Sequence, residues 1–278
     1  MKDQIMNDIL ENQSAIRNPQ SAIIHPLAAV SPGAKISAGV KIGPFSSVGD
    51  HVTIGHDTQI GAHVAIEGHT TIGERNRFYP FSSIGTPPQD VGYGGDDTRL
   101  LMGDDNIVRE YVTINRATTK EEWETVIGNH NYLMAYAHVA HDCRLSDHVI
   151  LGNGATLGGH THIGEYAILN AFLAVQQFVR IGAHAFLGAK AGIDRDVPPY
   201  MITAGPRAKL YGVNQKGLLR RGFSQETIDS LKKAYRILWR QNKRLDVGIL
   251  QVQQELEMIP ELKILLDFLA GSKRGVIR

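Results

Sequence analysis

The sequence predicts a β-helical solenoid, short strands wound into stacked coils, followed by a small all-helical domain. Three observations carry this expectation. An apolar residue recurs at every sixth position over most of the chain. Two segments rich in Gly, Pro and charge interrupt that recurrence, which resumes after each. After about residue 214 the apolar spacing becomes that of amphipathic helices.

The recurrence starts at Ile24 and continues through Val30, Ile36, Ile42, Val48, Ile54, Ile60, Ile66, Ile72, Phe78 and Ile84. It resumes at Met102, Val108 and Ile114, and then runs unbroken from Ile127 to Ile193. Ile, Leu or Val fills 24 of these 26 leading positions, far beyond what a chain of 42% hydrophobic content gives by chance. A period of six matches neither a plain amphipathic helix nor a plain alternating strand. It suits a solenoid in which each hexad is a short strand plus a corner, with the leading aliphatic side chain pointing to the axis. Gly often follows the leading residue, as at Gly43, Gly49, Gly55, Gly61 and Gly73, and is expected to permit the sharp turn. Branched Ile and Val suit such strands.

The interruptions, at about 85–101 and 118–126, are expected to project as loops from the coils. The pair Pro198 and Pro199 ends the stack. Beyond it, Ile228, Leu231, Ala234, Tyr235 and Leu238 follow helical spacing behind the cap candidates Ser224 and Thr227. Two further helices are expected near 245–256 and 260–269. The chain thus divides into an N-terminal extension (1–21), a β-helix (22–200), and a linker with a helical C-terminal domain (201–278). In the extension, Ile5, Met6, Ile9 and Leu10 allow one short amphipathic helix or none.

Net charge is only +1, which argues against a dedicated nucleic-acid binder. The charge is unevenly spread: residues 1–204 carry 14 Lys/Arg against 21 Asp/Glu, and residues 205–278 carry 15 against 7. A basic C-terminal domain suggests an anionic partner there, a solvated basic face being the plainer alternative. The single cysteine, Cys143, rules out an internal disulfide framework and fits a reducing compartment. Residues 1–20 carry charge and no continuous apolar stretch, so no signal peptide is expected. No run approaches the roughly 18 apolar residues of a membrane span, and the protein is expected to be soluble and cytoplasmic, without stable membrane insertion.

Histidine suits proton transfer at neutral pH, and His138, His141, His148, His160 and His162 cluster among aliphatic leading residues. If three hexads make a coil, as in the hexapeptide-repeat transferases that the hexad pattern resembles, residues 18 apart stack roughly 4.8 Å from one another, which sets Gly159 directly above His141. The imidazole would act as general base while the Gly159 N–H holds an oxyanion, and Asp142 would orient the ring. From spacing alone, a turn histidine beside a corner glycine is the plainer reading. Zinc held by histidines such as His51 and His56 is a further alternative, but no third histidine stacks on them and no metal is expected.

The hexad pattern resembles the left-handed parallel β-helix of hexapeptide-repeat transferases, an all-β solenoid that here precedes a small α-helical C-terminal domain. The handedness comes from that resemblance, since parallel crossovers are normally right-handed. His138-Val139-Ala140-His141-Asp142-Cys143, Thr156-Leu157-Gly158-Gly159-His160 and Pro88-Gln89-Asp90 resemble the active-site motifs of the UDP-N-acetylglucosamine acyltransferase family. Gly212-Val213-Asn214, Gly217-Leu218 and Arg220-Arg221-Gly222-Phe223-Ser224 are similar to its junction with the helical domain. The similarity covers about residues 22–278.

The resemblance implies transfer of a 3-hydroxyacyl chain from acyl carrier protein to the glucosamine 3-position, the first step of lipid A synthesis. It also implies a homotrimer with sites between adjacent prisms, and no cofactor beyond the acyl carrier protein co-substrate. By the same resemblance His141 is the general base, Asp142 its partner and Gly159 the oxyanion donor. Gln89, Asp90, His138, His160 and Gln177 contact the sugar or the polar head of the acyl chain. Asn214, Arg220 and Arg221 grip the nucleotide of the UDP-sugar, and Ala189 stands at the acyl-chain ruler. The basic C-terminal domain fits an acidic carrier protein. Three positions depart from the family pattern: Gly92 replaces a lysine, Gln176 a histidine near the sugar, and Lys216 an acidic residue near the nucleotide. They leave open whether the acceptor is a 3-hydroxyl or, in a paralogous enzyme, a 3-amine or another sugar.

Overall fold

The computed structural model describes residues 21–278. The expected N-terminal extension, with its short amphipathic helix, lies outside the described residues apart from residue 21. Strands follow one another around three faces: β1 (Ile23–Ile24) begins the first, β2 (Ala29–Val30) the second and β3 (Lys35–Ile36) the third. Every third strand returns to the same face, giving sheets of eleven, nine and eight strands that are parallel except at the last strand of the first. Where no loop intervenes, partners stand 18 residues apart, as in Ile24 with Ile42, Val139 with Leu157, and Leu145 with Ile163. The leading residues form a continuous buried column, among them Ile54, Ile72, Ile114, Leu133 and Leu169. This column supplies the burial that no single coil achieves alone.

Polar side chains inside the prism complete the backbone hydrogen bonding at its corners. Oδ1 of Asn76 accepts from the Asn106 N–H (2.9 Å), Oδ1 of Asn106 from the Asn131 N–H (2.8 Å), and Oδ1 of Asn131 from the Val149 N–H (2.7 Å). Such a ladder satisfies groups that would otherwise be buried unpaired.

The corners are built differently from the sequence-based expectation. The left-handed residue is not the Gly after the leading position but the residue two further on, which is usually large: Phe45, His63, Phe81, Tyr111 and Tyr136 all have φ between 57° and 66°. A left-handed conformation costs a non-Gly residue roughly 1–2 kcal/mol, and stacking offsets it. Rings at successive corners lie parallel, from Phe45–His63 (4.9 Å between centroids) to Tyr111–Tyr136 (4.8 Å). A second column runs His130–His148–Tyr166–His184–Tyr200 along another edge. The Gly residues instead permit close approach of the next coil: a Cβ on Gly55 would lie 2.5 Å from the Gly73 carbonyl carbon.

The sheet continues past residue 200. β27 (Met201–Ala204) pairs in parallel with Phe186–Leu187, and β28 (Lys209–Val213) turns back antiparallel to it. Four helices follow: α1 (Gln215–Arg220), α2 (Gln225–Arg240), α3 (Leu245–Glu255) and α4 (Pro260–Ala270). Ser224 caps α2 through the Thr227 N–H, as its spacing predicts, and Pro260 opens α4. α1 and the final hairpin had no signature in the hexad pattern.

The helical domain is clamped to the last coils. Arg180 donates to Asp196 and to the Phe268 carbonyl, Ser272 donates to Asp196, and Val276 and Ile277 are buried.

Two corner glycines differ in the room they leave for a methyl group. Gly55→Ala should destabilise the prism by about 1–3 kcal/mol through overpacking. Gly49→Ala, whose Cβ meets nothing closer than 3.5 Å, should change stability by no more than about 0.5 kcal/mol. Urea denaturation of the two variants checks this.

Candidate active site

Both inserted loops leave the prism at one edge, between the second and third faces. The first joins Ser83–Thr86 to Arg99–Met102, and the second joins Thr113–Asn115 to Glu124–Ile127. His141 and Asp142 occupy the corner of the following coil on that edge, between His138–Val139 and Arg144–Leu145. Loops and histidine therefore meet because the coil register stacks them.

Asp142 takes the left-handed corner conformation (φ 59°), which turns its side chain inward to 1% exposure and leaves His141 at 12%. His141 Nδ1 lies 2.7 Å from Asp142 Oδ2. The same oxygen accepts from the Thr118 N–H (3.0 Å) and hydroxyl (2.7 Å). Burial pushes the Asp142 carboxyl up, but the hydrogen bonds from His141 and Thr118 outweigh it and hold the group below the usual carboxylate range. An ionised Asp142 accepts a hydrogen bond from the His141 Nδ1–H and leaves Nε2 as the proton acceptor.

Gly159 packs on that ring from the coil above, as the 18-residue spacing predicts. A Cβ there would lie 2.5 Å from His141 Cε1 and 2.8 Å from Nε2, so only glycine leaves the imidazole its place. The Gly159 carbonyl accepts from the Phe178 N–H (3.0 Å), and among the described residues the Gly159 N–H has no acceptor. His160 is buried, stacked on Phe178 (4.3 Å) and edge-on to His141 (5.2 Å). Its Nε2 is 3.7 Å from Asp142 Oδ2. Its Nδ1 is 3.1 Å from Glu121 Oε2, a charge contact off the N–H direction, so this nitrogen makes no hydrogen bond. His138 pairs with the Thr113 hydroxyl (2.7 Å), and burial, then the charge of His141, lowers its pKa. Gln176 and Gln177 are exposed on the same edge one coil higher.

In the loops, Gln89 is exposed, and Asp90 accepts from the Lys120 ammonium and the Gly92 N–H (2.9 Å). The Lys120 hydrogen bond is the main reason the Asp90 carboxyl sits below its ordinary range.

The remaining expected site residues lie on other edges. Asn214 is buried between the third and first faces. Its Oδ1 caps α1 through the Gly217 N–H (3.2 Å), and its Nδ2 donates to the His184 carbonyl (3.0 Å). Arg221 lies over the Tyr166 ring at 4.2 Å, with Lys216 and Arg220 exposed nearby on α1. Burial, reinforced by Arg221, lowers the His184 pKa to about 4. Ala189 is exposed on the third edge, after Phe186–Leu187. Within one chain His141 and the cations Lys216, Arg220 and Arg221 thus face different ways.

Thr118, Thr113, Lys120 and Glu121 escaped the sequence reading because each acts from a loop or a neighbouring coil. The coil register, extended across the second insertion, pairs Thr113 with His138 and was the one available signal. Among the described residues the one trio of donors close enough for a metal ion is His141, Asp142 and His160, within 4.8 Å. The expectation that no third histidine stacks on His51 and His56 fails, since His69, 18 residues on, stacks on His51 (4.3 Å), although none of these three belongs to the trio. Cys143 is buried, its thiol pushed up to about 12 by burial, which makes it inert.

Comparison with known proteins agrees with this geometry. Residues 33–68 and 124–159 match the bacterial transferase hexapeptide model, and residues 196–277 match the second domain of UDP-N-acetylglucosamine O-acyltransferase. The chain is 49% identical to the acyl-[acyl-carrier-protein]–UDP-N-acetylglucosamine O-acyltransferase of Thermodesulfovibrio yellowstonii, over 92% of this chain and 99% of that one. It is 46% identical to that of Thiobacillus denitrificans, over 92% of this chain and all of the relative. The UDP-N-acetylglucosamine acyltransferase structure from Bacteroides fragilis superposes with a TM-score of 0.90 at 36% identity, covering 92% of this chain and all of that one. The fold is accordingly the left-handed parallel β-helix with a helical C-terminal domain.

Proposed function

The chain belongs to the acyl-[acyl-carrier-protein]–UDP-N-acetylglucosamine O-acyltransferase family, and on that premise we propose how its residues carry out the transfer. The enzyme moves an acyl chain from its carrier protein to an oxygen of UDP-N-acetylglucosamine. The chain transferred is a 3-hydroxyacyl group, the acceptor is the 3-hydroxyl, and the step opens lipid A synthesis. The relatives' names specify O-acylation, which favours the hydroxyl over a 3-amino sugar.

One observation carries the mechanism: His141 is tied through Nδ1 to buried, ionised Asp142 while the Gly159 backbone lies against its other side. Nε2 removes the proton of the sugar hydroxyl as the oxygen attacks the thioester carbonyl. The Gly159 N–H stabilises the oxyanion. Collapse breaks the C–S bond, and the His141 imidazolium returns its proton to the leaving thiolate of the carrier. Asp142, fixed by Thr118, keeps the tautomer and stabilises the imidazolium. The thioester is already activated, so no cofactor is needed.

Gln89, Asp90, His138, His160, Gln176 and Gln177 surround the base and bind the sugar and the polar head of the acyl chain. Arg220 and Arg221 bind the diphosphate, where guanidinium forks suit phosphate oxygens, and Lys216 adds a third cation. Asn214 serves by placing α1, since its side chain is taken up by the cap and by His184. Ala189 limits the acyl chain. Because the base and these cations lie on different edges, a neighbouring copy completes each site, and the assembly is a homotrimer. The basic C-terminal domain receives the acidic carrier protein. The enzyme works in the cytoplasm; no described helix is long and apolar enough to cross a membrane.

Purified protein should acylate UDP-N-acetylglucosamine from 3-hydroxyacyl carrier protein. His141→Ala should lower the rate by about 10²–10⁴-fold, and Thr118→Val by about 10- to 100-fold through loss of a hydrogen bond to a buried charge. Transfer to the 3-amino analogue alone would replace the acceptor. A rate unchanged in His141→Ala would remove the proposed base. In light scattering, a mass of 30.5 kDa rather than about three times that would exclude the shared site.

A further inference from the structure

Three consecutive residues of the second loop reach three different parts of the His141 surroundings. Lys120 holds Asp90 of the first loop, Glu121 faces His160, and Glu122 holds Arg144 on the outside of the prism. The Lys120 connection stands apart for two reasons. The first loop, from Pro87 to Thr98, contains no Lys or Arg, so its acidic residues depend on charge supplied from elsewhere. And the backbone of Lys120 is continuous with the catalytic apparatus: its N–H reaches the Thr118 hydroxyl at 3.3 Å, and Thr118 itself grips Asp142 through both its N–H and its hydroxyl. A short segment therefore joins Asp90 on one side to the Asp142–His141 pair on the other.

We propose that Lys120 is a positioning residue for the transfer, pinning the first loop at a fixed distance from His141 through Asp90. The inference rests on the acyl-transfer reading given above. The Lys120 side chain is 57% exposed and Asp90 only 14%, so the ion pair closes over the inner carboxylate and keeps its outer face in solvent. A pair so placed contributes little to folding. Its effect lies in geometry, because Gln89 and Asp90 ride on the loop that it holds. Without the ammonium, the Asp90 carboxylate keeps only the Gly92 N–H (2.9 Å) from its own loop, and the two loops are no longer tied at this point. Arg116 still anchors the base of the first loop through the Gly85 carbonyl (2.9 Å) and the Tyr93 hydroxyl (3.2 Å), so the loop stays folded while its tip loses its fixed position.

The effect should therefore fall on substrate capture more than on chemistry. Lys120→Gln should raise the KM for UDP-N-acetylglucosamine about tenfold, as expected for misplacing a binding loop, with kcat within about threefold of wild type. Lys120→Arg, which keeps the charge and the reach, should return KM to within about threefold of wild type. Glu122→Gln, in the same loop but paired outward with Arg144, should leave both constants unchanged, and the melting temperature of all three variants should stay within about 2 °C of wild type. A wild-type KM in Lys120→Gln would overturn the proposal. So would an arginine variant as impaired as the glutamine one, or a Glu122→Gln variant that copies Lys120→Gln. If wild-type protein shows no transfer at all, the acyl-transfer reading fails instead, which keeps the two failures distinct.

Discussion

Each coil hydrogen-bonds to the next through parallel strand pairs, and this register fixes everything else in the molecule. The His138 N–H donates to the Ala155 carbonyl, and the pattern repeats coil after coil. Because no residue can slip against its neighbour without turning leading aliphatic residues out of the core, the register is rigid. It sets the Gly159 backbone on the face of His141. It places both inserted loops on the edge that carries His141, and it stacks rings at successive corners. A catalytic site made of residues from three separate coils can be precise only on such a scaffold.

The electrostatics of the site follow from where the corners point side chains. The left-handed turn at Asp142 drives its carboxylate into the interior, where it would be costly unless hydrogen-bonded. Thr118 and His141 meet that requirement, and in doing so they fix the protonation of the imidazole. His160 and His138 sit beside it in drier surroundings, His138 kept neutral by burial. One ionised carboxylate at the centre, gripped by Thr118 and ringed by imidazoles, is an arrangement suited to moving a proton to and from His141.

Much of this was legible in the sequence because a six-residue period survives inspection one residue at a time. The solenoid, the two loop insertions and the three longer helices follow from counting, while the handedness and the stacking of Gly159 on His141 needed the three-hexad coil that the family resemblance implies. The misread parts are those in which tertiary contacts override a local rule. Glycine after the leading residue signals a turn by propensity, yet its reason here is the approach of the neighbouring coil. The turn itself is often made by aromatic residues, whose strain stacking offsets. The final hairpin and α1 carry no hexad signature, because β27 and β28 complete a sheet laid down much earlier in the chain. Thr118 and Lys120 were invisible because each acts by reaching across from a loop whose position depends on the coils. The separation of Arg220 and Arg221 from His141 onto different edges also needed the coordinates, since sequence order says nothing of which edge a helix closes over.

The measurement that bears most directly on the account is complementation between two defective chains. One chain carries His141→Ala and the other Arg220→Ala with Arg221→Ala, and the two are co-expressed with different tags and purified through both. If the base on one edge works with the cations of a neighbouring copy, each mixed trimer regains one intact site in three, and activity returns to about one third of wild type. Mixed assemblies as inactive as either parent would contradict it, and would mean that base and nucleotide-side residues act within a single chain.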